Sequence, residues 1–403
     1  MLFILAWRNI WRNKMRSAVV IISVIIGLWA GAMIMGVESG MAEQRQNDAI
    51  QNEVSHIQIH LKEFKTDKEP VFVIPETERV IAAISKSENV KAVSGRLVTM
   101  GMILTASNSA GVKINGVVPE DEAKIIGLDR KIVAGNFFVP EKLNQILIGD
   151  RLADKMKLKV KSRIVLTFSD KVGNVVSGSF RVAGIFNTNN IAIDEAVVYT
   201  RIQDMSSLLL TEKNVHEIAI LLTGNEKLEF EVAKIKGEFP TLIVESWREV
   251  APEIGLLIDM VAVLTKVIMI VILFALAFGI INTMLMAMLE RTREIGMMMA
   301  LGLNKLKLFL LVLFETAILV LIGCPFGLLL SYGVINIYAK RGINLGAYGN
   351  ALETLGLSNI IYPKVELRQY EQIIFLVIIT ALIASIFPAR KALRIQPAES
   401  IKI

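Results

Sequence analysis

Few side chains in this sequence are suited to chemistry. The imidazoles and the thiol are His56, His60, His216 and Cys324. His56 and His60 stand four residues apart on a segment, Val54 to Leu61, that alternates Ile57, Ile59 and Leu61 against His56, Gln58 and His60. That alternation is the period of a half-buried strand and puts both imidazoles on one face. The pair could hold a metal, but no cysteine or paired acidic pattern lies nearby, so a solvated strand face is the preferred reading and no metal site is expected. There is no G-x-S-x-G, H-E-x-x-H or Walker A sequence, and no catalytic set is expected. If ATP drives this protein, a different chain hydrolyses it.

Two other features carry physical information. Glu315 lies in an apolar run, about 12 Å beyond Lys307 by helical rise, where a carboxylate is costly unless paired. One reading makes it part of a substrate or proton path; the preferred one has it hydrogen-bonded between helices or paired near an interface. The string ERTREIGMMMALGLNKLK, Glu290 to Lys307, sets charges at helical spacing, then apolar residues, then a glycine stop at Gly302. A short amphipathic helix between two membrane spans suits the passing of force to a soluble partner. It could equally be a surface loop lying on lipid.

The elements that position these residues are set by hydropathy. Ser17 to Val37 is an uncharged apolar run standing alone, and three more apolar runs, the second of which carries Glu315, lie between Val267 and Ala389. Each can cross a hydrocarbon core of roughly 30 Å. The expected organisation is an amphipathic stretch 1–16, spans 17–37, 257–289 (with an outer extension), 308–334 and 372–389, a large domain 38–256, a link 290–307, a second link 335–371 and a tail 390–403. Gly36 to Ser39 makes no convincing cleavage site, so the first run is read as a retained anchor. Leu2 to Trp11 has helical spacing suited to the interface plane, or to a plain extension of the first span.

Charge sets the sidedness. Arg8, Arg12, Lys14 and Arg16 precede the first run with no acid among them, which places the amino terminus in the cytoplasm. Counting spans then puts the 38–256 domain outside. Arg291, Arg293, Lys305 and Lys307 fall inside, as do Arg390, Lys391, Arg394 and Lys402. The net charge of +6 reads as topology and lipid headgroup contact, not nucleic-acid binding. Cys324 lies in the third span, so the outer domain has no disulfide and depends on a packed core.

Within that domain, a strand, a helix after Pro75 and a strand at Ala92 to Val98 form one β-α-β-like unit. A second comprises His216 to Thr223, Glu226 to Glu238 and Thr241 to Glu245. The two are expected to pair as one α/β layer. Between them, Thr99 to Leu210 reads as a β-rich insertion with strands at Ser162 to Phe168, Phe180 to Phe186 and Ala196 to Tyr199, and a helix at Arg151 to Leu158. The fold class expected is a four-span α-helical membrane protein with a large α+β outer domain.

Three strings, AWRNIWRNKMRS, INTMLMAMLERTREIGMMMALG and FPARKALRIQPAESIKI, resemble signatures of the FtsX-like, MacB-type ABC transporter permeases, and the likeness runs end to end. HIQIH, INGVVPEDE, ILIGDRLADKMKLKVKSRIVL, VAGIFNTNNIAIDEAVVY, Trp247 and the long second outer link are similar to the lipoprotein-releasing, LolC/LolE-type permeases. The resemblance implies a bacterial inner-membrane permease with its large domain in the periplasm and no cofactor of its own. Two copies of an ABC ATPase would supply ATP and Mg chemistry, and a second permease protomer would complete a homo- or heterodimer. The cargo implied is a lipidated protein, with transfer to a periplasmic lipoprotein chaperone. Glu290 to Gly302 would be the coupling helix, with Glu290, Arg291, Arg293 and Glu294 facing the ATPase. Leu28, Met33 and Val37 with Met260, Val263 and Met269 would wall a lipid-accessible cavity. The stretch Ser169 to Gly178 matches a carrier-hooking loop but lacks its proline. A MacB-type exporter of peptides or small amphiphiles and an FtsX-like regulator of a wall hydrolase are the alternatives.

Overall fold

The computed structural model describes residues 2–188, 190–211, 213–300, 303–348, 352 and 357–393. The chain forms two compact units, one of residues Met1–Ala42, Asp259–Asn344 and Ile360–Ile403, the other of Glu43–Ile258 and Leu345–Asn359.

The first unit is helical. Among the described residues, four helices are long and apolar enough to cross a membrane: a first at Lys14–Ala49, a second at Pro252–Glu290, a third at Lys305–Arg341 and a fourth at Leu367–Ala392. Each extends past the run expected from hydropathy. Backbone hydrogen bonds continue into polar sequence, whereas hydropathy registers only the greasy part. Glycines allow these helices to approach closely, as membrane helices must where no hydrophobic drive separates protein from lipid. Gly323 and Gly327 of the third helix lie against Val24, Ile25 and Leu28 of the first. Gly27 of the first helix faces Leu276 of the second, and Gly31 faces Met269 and Ile373.

An amino-terminal helix, Leu2–Arg12, buries Ala6 and Ile10 and packs on the third apolar helix. Its exposed indoles, Trp7 and Trp11, meet edge to face at 5.9 Å. A break at Asn13 separates it from the first apolar helix, so it is an element of its own and not an extension. Ser17 secures the corner by donating its hydroxyl to the Ile10 carbonyl at 2.8 Å.

The second unit is built on one mixed sheet. Its strands are β1 (Ile57–His60), β2 (Val90–Leu104), β3 (Ser109–Val117), β4 (Ile132–Gly135), β5 (Gln145–Gly149), β6 (Arg163–Ser169), β7 (Val175–Phe186), β8 (Val197–Arg201), β9 (Glu217–Leu222) and β10 (Ile243–Ser246). The two expected β-α-β-like units interleave strand by strand in the order β10-β1-β9-β2. Helices Thr77–Ile84 and Leu228–Glu238 contribute Val80, Ile84 and Ile235 to the core of this layer.

The β-rich insertion does not start at Thr99. That residue falls inside β2, which runs unbroken from the layer into the insertion. There β2, β3, β8, β5, β7 and β6 pair successively, and β6 pairs back to β2, closing a ring of six strands. Leu97, Ile103, Ile114, Ile146, Leu166, Phe180 and Val198 fill its interior, as the inward positions of a small barrel must. Gly101 stands where β2 takes β6 as a second partner. A Cβ there would run into the Thr167 carbonyl.

One strand corrects the sequence reading. β1 is buried at all four residues, not half-buried, because it lies between β10 and β9 and both its faces are covered. The histidines are therefore not on a solvated face. His56 accepts the Leu222 backbone N–H at Nδ1 (3.2 Å), and His60 Nε2 meets Glu245 at 2.9 Å. His216 accepts from Val98 N at 2.9 Å, donates to the Pro70 carbonyl at 3.0 Å and stacks on Phe64.

A buried charge cluster ties β2 into the layer. Arg96, 4% exposed, bonds Glu122 through Nη2 (2.7 Å) and Nε (3.2 Å), and Glu217 through Nη1 (3.0 Å). Ser94 donates to Glu122 as well, at 2.9 Å. Replacing Arg96 removes the hydrogen-bonded cation of both carboxylates and leaves them only the nearby charge of Lys113, so Arg96→Met should cost roughly 3–5 kcal/mol, read as a lowered melting temperature of the purified protein. A second expectation concerns pH. Burial, with help from Lys91, lowers the His56 pKa from 6.5 to about 4, and burial lowers that of His216 as well. The unfolded chain then binds protons that the folded one refuses, so this stability is complete above pH 6.5 and is lost as pH falls towards 4. Asp194, raised to about 6 by burial, acts in the opposite sense over the same window, so the histidine contribution is read by difference: from pH 6.5 to 4.5 the parent should lose more melting temperature than His56→Gln does.

Candidate coupling site at the link helix

The second apolar helix ends at Glu290 and a short link helix, Thr292–Ala300, begins two residues later. Arg291 is the single residue between them. Thr292 fastens the corner from the link side, its hydroxyl donating to the Leu289 carbonyl at 2.8 Å. The Ile295 N–H donates to the Arg291 carbonyl at 2.9 Å, and the Ile295 side chain is buried.

Four charge pairs among the described residues surround this corner. Glu290, just before it, pairs with Arg16. Glu294, one turn after it, pairs with Arg12 of the amino-terminal helix. Between them Arg291 turns inward, only 7% exposed, and donates through Nη1 to Glu315 Oε1 at 3.3 Å and through Nε to Glu294 Oε2 at 3.2 Å. Glu315, on the third apolar helix and equally buried, also accepts from Asn9 Nδ2 at 2.5 Å. Burial alone would raise the Glu294 carboxyl, but Arg12 and Arg291 outweigh it and hold it below the usual carboxylate range. The set forms and breaks no covalent bond. What it can do is hold the link helix against two neighbours.

The four expected coupling residues therefore divide. Glu290 and Arg293 are exposed and Glu294 is partly so. Arg291 is not available as a surface contact, because the cost of leaving Glu315 unpaired draws it inward. Gly302 lies outside the described residues. Asn9, Arg12 and Arg16 were absent from the sequence-derived set. In the sequence the two cations read as topology and Asn9 as a polar position of the amphipathic stretch, at spacings of three and four.

The expected cavity residues are not gathered into one cavity by this chain. Leu28 is fully buried against Gly327 of the third helix, and Met269, 6% exposed, lies against Gly31. Met33 and Val37 are half-buried, while Met260 and Val263 are exposed. The first and second helices touch at Gly27 and Gly31, where a gap between them was expected. Apolar hollows occur elsewhere: about 600 Å³ between the third and fourth helices, lined by Leu328, Tyr332, Ile335 and Ile374, and about 400 Å³ between the second and fourth, lined by Phe274, Phe278 and Ile383. The Ser169 to Gly178 stretch is a tight hairpin, in which the Asp170 carboxylate accepts from the Val172 and Asn174 backbone N–H groups at 2.8 Å each.

Two family models match this chain: the MacB-like periplasmic core domain over residues 17–236 and the FtsX-like permease C-terminal region over residues 266–397. The lipoprotein-releasing system transmembrane protein LolC of Neisseria meningitidis is 21% identical over 410 residues, covering 97% of this chain and 95% of its own. The macrolide export ATP-binding/permease protein MacB of Hahella chejuensis is 21% identical over 425 residues, 99% of this chain but 59% of its own. YvrN, an ABC transporter permease of Bacillus subtilis, is 22% identical over 437 residues, 99% and 98% of the two chains. Among solved structures, the periplasmic region of MacB from Actinobacillus actinomycetemcomitans aligns with a TM-score of 0.36 and 10% identity, over 51% of this chain and 94% of its own. With the first model spanning more than half its length and the second most of the remainder, this chain belongs to the ABC transporter permeases of the FtsX-like, MacB-type family.

Proposed function

We propose that this chain is the membrane subunit of a bacterial inner-membrane transporter that extracts lipoproteins from the outer leaflet and passes them to a periplasmic carrier, ATP and Mg being handled by two copies of a separate ATPase. The observation that carries the reading is the likeness, over 97% of this chain and 95% of the relative, to a protein named for lipoprotein release. The flanking cations support the sidedness, with the link helix facing the ATPase and the six-strand ring facing the carrier. Glu290 and Arg293 would contact the ATPase because they are exposed on that side.

A second permease protomer completes the arrangement. Met33, Val37, Met260 and Val263 are left partly or wholly uncovered by their own chain, and an acyl chain lodged against them would gain about 0.8 kcal/mol per buried methylene. Extraction must overcome a comparable attraction of lipid for the same chains. That deficit is what ATP binding would supply. The second reading, an exporter of peptides or small amphiphiles, is favoured by the equal identity to the macrolide export relative.

Three measurements test the proposal. In proteoliposomes holding the complex and a lipidated substrate, Glu290→Ala/Arg293→Ala should lower ATP-dependent release at least tenfold, and undiminished release would remove these residues from coupling. A photo-crosslinking residue at Met260 or Val263 should capture the lipidated substrate and not a macrolide; the reverse outcome selects the exporter. A cysteine at Val172, 71% exposed, should react with a membrane-impermeant maleimide added outside intact spheroplasts. Labelling that requires lysis would invert the topology.

A further inference from the structure

Arg291 occupies the only position between two helices, and its side chain is anchored to a third. The pairs on either side of it differ in kind. Arg12–Glu294 lies at the surface, with side chains 50% and 40% exposed, and in Arg16–Glu290 the carboxylate is 55% exposed and the guanidinium 17%, so water and salt screen both pairs. Arg291–Glu315 is withdrawn from water, with both side chains 9% exposed, and separating it would strand a charge among apolar helices. A force on the link helix therefore works the outer pairs loose before the inner one.

We infer that Arg291 and Glu315 form the pivot through which the link helix moves the third apolar helix, and that the amino-terminal helix is the second arm of the same joint. Asn9 and Arg291 share one carboxylate oxygen, so a tilt of the third helix is felt by the amino-terminal helix, whose Ala6 and Ile10 are already packed on it. Arg12 returns the connection to the link helix at Glu294. The loop of contacts runs from link helix to third helix to amino-terminal helix and back. Glu315 and Arg291 are positioning residues here, since they touch neither nucleotide nor cargo. This inference rests on the reading that a partner ATPase drives the chain.

The test separates holding from coupling. In a Cys324→Ser background, spin labels at Met15 and Met297, both exposed, report the distance across the joint in the purified chain without any partner. The parent should give one narrow distance. Glu315→Gln, which keeps the shape and an acceptor for Asn9, should broaden it, and Arg291→Gln/Glu315→Gln should broaden it no further. Asn9→Ala, a milder change with little risk to folding, should act in the same direction with smaller amplitude. In the complex, Glu315→Gln should leave ATP hydrolysis within twofold of the parent while release per ATP falls at least tenfold. A narrow distance in Glu315→Gln and Asn9→Ala alike, or release per ATP at the parent level, overturns the joint. A parent complex that hydrolyses ATP but releases no lipidated substrate overturns the functional reading instead, and the distances still judge the joint.

Discussion

A carboxylate buried among apolar helices has to be matched, and that requirement organises one end of the helical unit. Glu315 cannot stay where it is without partners, so an arginine is drawn in from the corner of the link and an asparagine from the amino-terminal helix. Those two recruits fix where the corner sits and which way the amino-terminal helix faces. The surface pairs of Arg12 and Arg16 then fall into place around a geometry already decided. A polar residue inside a greasy span is here an organiser of its neighbours.

The same logic recurs in the strand-built unit, with the sign reversed. There the buried group is a cation, Arg96, and the recruits are Glu122 from a helix and Glu217 from the adjacent strand. Because Arg96 lies on the strand that serves both the α/β layer and the six-strand ring, the cluster sits at their shared seam. Apolar residues fill the core on each side, Ile57, Ile59 and Ile218 in one and Ile103, Ile114 and Leu166 in the other. Burial supplies the stability of both, and the charge cluster ties β2 to β9 and to the helix that carries Glu122.

How much of this could be read from the residues depends on whether the signal is local. Apolar runs announce helices by length alone, and strands such as β6 and β9 were legible because their composition differs from their flanks. Closure of the ring was not legible, since the pairing of β6 with β2 joins residues far apart in sequence. The alternation in β1 is real, but period two separates two faces without saying whether the second is wet. His56 and His60 are covered because other strands and side chains close over them. Likewise Arg291 looks like any surface cation of an amphipathic helix until Glu315, on another helix, is brought beside it. Leu28 and Met269 sit in apolar runs that give no indication which side meets lipid and which meets glycine.

Closing the ring leaves this sheet few open edges. At the two ends of the strand order stand β10 and β4, each only four residues long. These are the places where another polypeptide could zip onto exposed amide groups, and such short docking rails offer a newcomer few bonds in return for its lost freedom. Closure thus protects the protein against templated polymerisation, a hazard that open, long-stranded sheets meet with charges or prolines.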